Sequence, residues 1–135
     1  MGEPNVWSVA RLPEPASDAA ELVVNGQELT CAVPDGSGAE PPGATPFGLL
    51  AASLSACTAM SVRTFLQRWH VDPGAVSVHV GVHPETTPPV LDRRVTVDGE
   101  VGTDLREQLA GVVDSTPVTV LLRDAVTIRT VLTTG

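Results

Sequence analysis

The chain has 135 residues, enough for one domain that buries roughly two-thirds of the surface its unfolded form exposes. Its net charge is −8, and all eight basic residues are arginines, so a phosphate backbone would be repelled and nucleic acid is a poor partner. With 42% hydrophobic residues the composition is globular, and no run of basic residues suggests an anionic membrane surface.

The opening residues, MGEPNVWSVARLPEP, carry neither a basic n-region nor an apolar h-region. A cytoplasmic, disulfide-poor setting is therefore expected, in which two cysteines are read as free thiols. Residues 6–10 form a short apolar stretch expected to be a first strand. Two strand-like runs follow around Asn25-Gly26, a dipeptide suited to a two-residue hairpin turn. Alternation in the second run places Leu29, Cys31 and Val33 on one face and Thr30 and Ala32 on the other.

A loop rich in proline and glycine over 34–45 leads to PFGLLAASLSACTAM, residues 46–60, uncharged throughout. Thr45 is placed to cap a helix with Pro46 at its first position, and Arg63 and Arg68 suit its C-terminal end. The expected helix has about 24 residues and is ~36 Å long. Such a segment sits at the short limit for a membrane span, but Ser53, Ser55, Thr58 and Ser61 interrupt it and no interfacial anchors flank it. The favoured reading is a helix surrounded by protein on nearly every side, partly by a second subunit. Its small residues would let another backbone approach closely.

Residues 75–82 alternate with Val76, Val78, Val80 and Val82 inward, and over 90–97 Leu91, Arg93, Val95 and Val97 share a face. Asp98-Gly99 marks a turn. A second helix is expected from about Thr103 to near Asp114, with Leu105, Leu109, Val112 and Val113 at helical spacing and Pro117 beyond its end. A last strand is expected over 126–132. Strands, long helix, two strands, helix and strand make an α+β fold of one domain, residues 1–135, with β-hairpins packed around a long buried central helix. No nucleotide-binding glycine signature is present.

Cys57 is the residue of chemical interest. As a buried cysteine it could be a small hydrophobe; as a reactive thiol it needs a cation from another segment, since the helix N-terminus is too far away. His79 and His83 are ~13 Å apart along a strand and cannot jointly chelate one metal, and His70 is read as a helix-closing residue. No metal site and no cofactor are expected. Phe47, Met60 and Phe65 are candidates for an apolar substrate-binding wall near Cys57, with core packing as the competing role.

The segment from Pro46 through Cys57 to Arg63, PFGLLAASLSACTAMSVR, resembles the central helix of the OsmC/Ohr family (osmotically inducible protein C / organic hydroperoxide resistance protein). The match is to the branch with the pattern P-x-E-L-L-x-A-A-L-x-x-C-T-A-M-T-V-R, and family order extends over about 20–133. The resemblance implies an intertwined homodimer with a site at the subunit interface. It also implies a peroxiredoxin-like, thiol-dependent peroxidase of oxidative-stress defence, acting on organic hydroperoxides. Cys57 occupies the peroxide-reacting position, and Arg11 is the candidate for the family's activating arginine. Thr116, before Pro117-Val118, occupies the position of the second, resolving cysteine, and Gly48 that of the helix glutamate. The resemblance is thus to a branch lacking the second cysteine, in which an external thiol or dithiol would reduce Cys57. Cys31 could replace the second cysteine only if its Cα lay roughly 4.4–6.8 Å from that of Cys57. The alternative is a non-catalytic or vestigial dimer that binds a small apolar ligand.

Overall fold

A computed structural model describes residues 6–33, 43–124, 128–129 and 131–133, and divides into two compact units, 1–50 and 51–135. The first holds β1 (Ser8–Arg11), β2 (Ala19–Val24) and β3 (Gln27–Ala32), an antiparallel meander in the order β1-β2-β3. The Asn25-Gly26 turn behaves as its sequence implies. Both residues have positive φ, 44° and 88°, as a type I′ turn requires, and Val24 pairs with Gln27 on either side of it. Asn25 also fastens β1: its side-chain oxygen accepts from the Trp7 N–H at 2.9 Å. Cys31 is the one fully buried residue of β3, whereas Leu29 and Val33, on the same face by alternation, remain exposed.

Helix α1 runs from Pro46 to Arg68, within a residue of the expected span. Thr45 caps it as anticipated, its hydroxyl accepting the Gly48 N–H at 3.0 Å. At the other end His70 takes φ 58°, with His70 N–H bonded to the Gln67 carbonyl and Val71 N–H to that of Leu66. This is the paired bonding that closes a helix through a left-handed residue. By length and composition α1 is the one helix among the described residues that could cross a membrane.

Within one chain α1 is covered along one side, so cover on nearly every side would require the expected second subunit. Only Leu54, Thr58, Val62 and Leu66 are fully buried, a single stripe at four-residue spacing. Ala52, Ser53, Ala56 and Met60 are exposed. Val62 and Leu66 of this stripe are covered by the rest of the second unit.

That covering is the second unit's core. Strands β4 (Val76–His83) and β5 (Val90–Val97) pair antiparallel, with Val76 opposite Val97 and Val78 opposite Val95 on the inner face. Val62, Leu66 and Leu109 form the buried centre, and Phe65, Val76, Val95 and Val97 pack around it. The Asp98-Gly99 turn is tied to the segment before β4, where Gly99 N–H meets the Pro73 carbonyl at 2.8 Å. A Cβ at Gly99 would overlap the Asp72 carbonyl oxygen, so no larger residue fits without backbone movement.

Helix α2 covers Thr103–Asp114, as expected, with Asp104 in the first turn where the helix dipole favours an anion. A third helix, α3 (Pro117–Arg123), was not anticipated. Pro117 ends α2, but at the first position of a new helix it costs nothing, because that N–H has no partner there anyway. Thr116-Pro117 thus repeats the start signal of Thr45-Pro46. The expected strand over 126–132 lies partly outside the described residues; Ile128, Val131 and Leu132 are exposed and not in a strand.

Candidate active site

Cys57 is a half-buried free thiol on α1. At 100° per residue it lies about 60° round the helix from Leu54 and about 100° from Thr58, at the margin of the buried stripe. A thiol there is partly accessible while its backbone is held by the core below. Cys31 is also free and is buried.

Beside Cys57 in the chain, Thr58 is fully buried and anchors a polar cluster that the sequence reading did not single out. Its hydroxyl donates to the Leu54 carbonyl at 2.7 Å and accepts from Arg93 Nη1 at 3.1 Å. The same Nη1 donates to the Thr119 hydroxyl at 2.7 Å, and Thr119 shares a 2.6 Å hydrogen bond with Thr116. Arg93 Nη2 lies 3.8 Å from the Asp114 carboxylate. The Arg93 side chain is only 15% exposed. A buried guanidinium is tolerated only with partners, and here β5, α1 and α3 each help to supply or position them.

The signal for this cluster was present in the sequence. Arg93 falls on the inward face of β5 between Leu91 and Val95, and an arginine at such a position must find acceptors. Which acceptors it finds depends on α3, and hence on the turn at Thr116. A cavity of about 280 Å³ opens against the cluster, lined by Leu54, Leu91, Arg93, Thr119, Leu122 and Arg123.

The other sequence candidates are placed as follows. Thr116 is 2% exposed, its hydroxyl engaged with Thr119, and its side chain makes no capping bond to α3. Phe65 packs against the core around Val62 and Leu66. Met60 is exposed and lines a shallow cavity of about 210 Å³ with Ala59, Arg63, Gly74 and Val76. Phe47 is exposed on the first turn of α1, and Gly48 follows it. Arg11 ends β1 and is exposed. His83 bonds Asp92 at 2.7 Å on the outer face of the β4-β5 hairpin, with both side chains substantially exposed. No group of three or more His, Cys, Asp or Glu that could hold a metal gathers among the described residues.

The profile of the OsmC-like protein family matches residues 36–131. The chain belongs to this family. Its α+β architecture of hairpins and a long central helix agrees with OsmC-like structures. An OsmC-like protein from Mycoplasma pneumoniae superposes with a TM-score of 0.65 at 14% identity, covering 90% of this chain and 89% of that one. An organic hydroperoxide resistance protein OsmC from Legionella pneumophila gives 0.59 at 17% identity, covering 88% and 89%. An organic hydroperoxide resistance protein from Elizabethkingia anophelis gives 0.58 at 20%, covering 83% and 82%. No curated protein matches the chain significantly.

Proposed function

We propose that this OsmC-like protein is a thiol-dependent peroxidase that reduces organic hydroperoxides through Cys57 alone, in oxidative-stress defence in the cytoplasm. The observation that carries the reading is a half-buried free thiol at the margin of the core-facing stripe of α1, in a chain of this family. The organic hydroperoxide resistance proteins of similar fold support the substrate class. In the proposed step the Cys57 thiolate attacks the terminal peroxide oxygen, the O–O bond breaks, and the alcohol leaves with a sulfenic acid on sulfur. Arg11 is the proposed activator of the thiolate. The apolar tail of the substrate would lie against Phe47, Met60 or Phe65.

Thr116, whose hydroxyl cannot form a disulfide, supports the one-cysteine cycle. Intact mass after one equivalent of cumene hydroperoxide, with and without a sulfenic-acid trap, tests it. The trapped adduct is expected on wild type and on Cys31→Ser alike. A loss of two mass units that disappears in Cys31→Ser would instead make Cys31 the resolving partner. No oxidation of wild type would leave the second reading, a dimer that binds a small apolar ligand, which the replacements at Gly48 and Thr116 favour.

We further propose that the protein works as a homodimer. The exposed small residues Ala52, Ser53 and Ala56 on α1 support this, since they allow close approach of a second backbone. Sedimentation as a monomer at micromolar concentration would overturn the dimer.

A further inference from the structure

A sulfenic acid on Cys57 must be reduced by a thiol, and Thr116 offers none. The buried hydroxyl of Thr116 is instead 2.6 Å from Thr119, which accepts from Arg93 at 2.7 Å. The same guanidinium reaches the turn of α1 that carries Cys57, through Thr58 at 3.1 Å. Adjacent Cα atoms are ~3.8 Å apart, so Arg93 Nη1 lies within about 10 Å of the Cys57 Cα.

The cavity beside this guanidinium has an apolar wall and a cationic one. Leu54, Leu91 and Leu122 supply the first, Arg93 and Arg123 the second. Two of the eight arginines in a chain of net charge −8 thus face one small space. Their carboxylate neighbours compete weakly. Arg93 Nη2 to Asp114 and Arg123 Nε to Asp124 are both 3.8 Å, too long for hydrogen bonds, and the two aspartates are 77% and 65% exposed. Nη1 is committed to Thr58 and Thr119, so a carboxylate entering the cavity would pair with the Nη2 and Nε side of a largely desolvated guanidinium. The cavity, about 280 Å³, lies at the small end of the range of ligand pockets.

We propose that this cavity binds a small thiol bearing a carboxylate, and that this thiol takes the place of the second cysteine. The proposal rests on the Cys57 peroxidase reading. The sulfur of the bound thiol attacks the sulfur of the Cys57 sulfenic acid. An S–S bond forms, and the hydroxyl leaves as water with the thiol's proton. A second thiol molecule attacks the mixed disulfide at its own kind of sulfur, releasing Cys57 as thiol and the small disulfide. In sum one hydroperoxide is reduced to alcohol and water while two thiols are oxidised to one disulfide.

The test begins with protein oxidised by one equivalent of cumene hydroperoxide. It is mixed with 3-mercaptopropionate, 2-mercaptoethanol or cysteamine at equal thiolate concentration. Formation of the mixed disulfide on Cys57 is followed by intact mass. On wild type, 3-mercaptopropionate is expected to react at least about tenfold faster than cysteamine, with the neutral thiol between them. Arg93→Met should remove that preference. Leu122→Glu, which leaves the Arg93 hydrogen bonds in place and brings a carboxylate to the cavity, should remove or reverse it. Equal rates for the three thiols on wild type, or a preference that survives in Leu122→Glu, would overturn this proposal alone. Absence of any sulfenic acid after peroxide would overturn the peroxidase reading and this proposal together.

Discussion

Replacing Cys57 by serine is expected to bring peroxide consumption down to the uncatalysed background, a loss on the order of 10³-fold or more. A serine hydroxyl is not appreciably ionised near neutral pH and has no sulfur on which to accept the peroxide oxygen. No partial pathway through it exists. The substitution removes one polarizable atom from a half-buried position at the margin of the core stripe, so the fold should survive it. Loss of cumene hydroperoxide with dithiothreitol as reductant gives the rate, and thermal unfolding of the same sample reports the fold. A Cys57→Ser protein that keeps more than about a tenth of the wild-type rate would remove Cys57 from the chemistry. The exposed Met60 then offers the remaining sulfur on that side of α1.

The largest effect on stability is expected at Leu66. This side chain is 0% exposed and sits with Val62 and Leu109 at the centre of the second unit's core. Leu66→Ala removes buried methyl groups and leaves a cavity that the surrounding valines of β4 and β5 can fill only in part. Such changes cost about 2–5 kcal/mol. For a chain of this length that corresponds to a fall in Tm of roughly 10 °C. Urea unfolding at equilibrium measures the change directly. A cost below about 1 kcal/mol would mean that α1 does not pack on the hairpin through this residue. The Cys57 reading would be untouched by that outcome, because the two residues belong to different parts of the helix surface.

The comparison of Thr45 with Thr116 shows how much of the fold was legible. Both threonines precede a proline, and both precede a helix. The first reads as a helix start because 23 helix-compatible residues follow it. Thr116-Pro117 marks the end of α2 in the sequence and not the start of α3, because the seven residues of α3 are too few for a periodic pattern to stand out. Short helices are stable only where neighbours hold them, and periodicity within one segment does not report neighbours. The Asn25-Gly26 hairpin, the alternation of β4 and β5 and the limits of α2 were legible for the opposite reason. Each depends on contacts or dihedral angles that lie within a few residues.

The site divides along the same line. That Cys57 would lie on the central helix, and Arg93 on the face of its strand shared with Leu91, Val95 and Val97, followed from spacing of 3.6 and of 2 residues. That Arg93 would join Thr58 and Thr119 did not, since these residues are 35 and 26 positions away from it. Hydrophobic patterning assigns a side chain to a face, but it carries no information about which face another element will present to it. A desolvated guanidinium makes that choice costly to get wrong, so packing of α1, β5 and α3 has to satisfy it. The strands β1 to β5 and the helices α1 and α2 were therefore written locally in the chain, and α3 was not. The arginine-threonine cluster, the cavity beside it and the half-covered helix came from the meeting of distant segments, where burial alone sets which polar groups must pair.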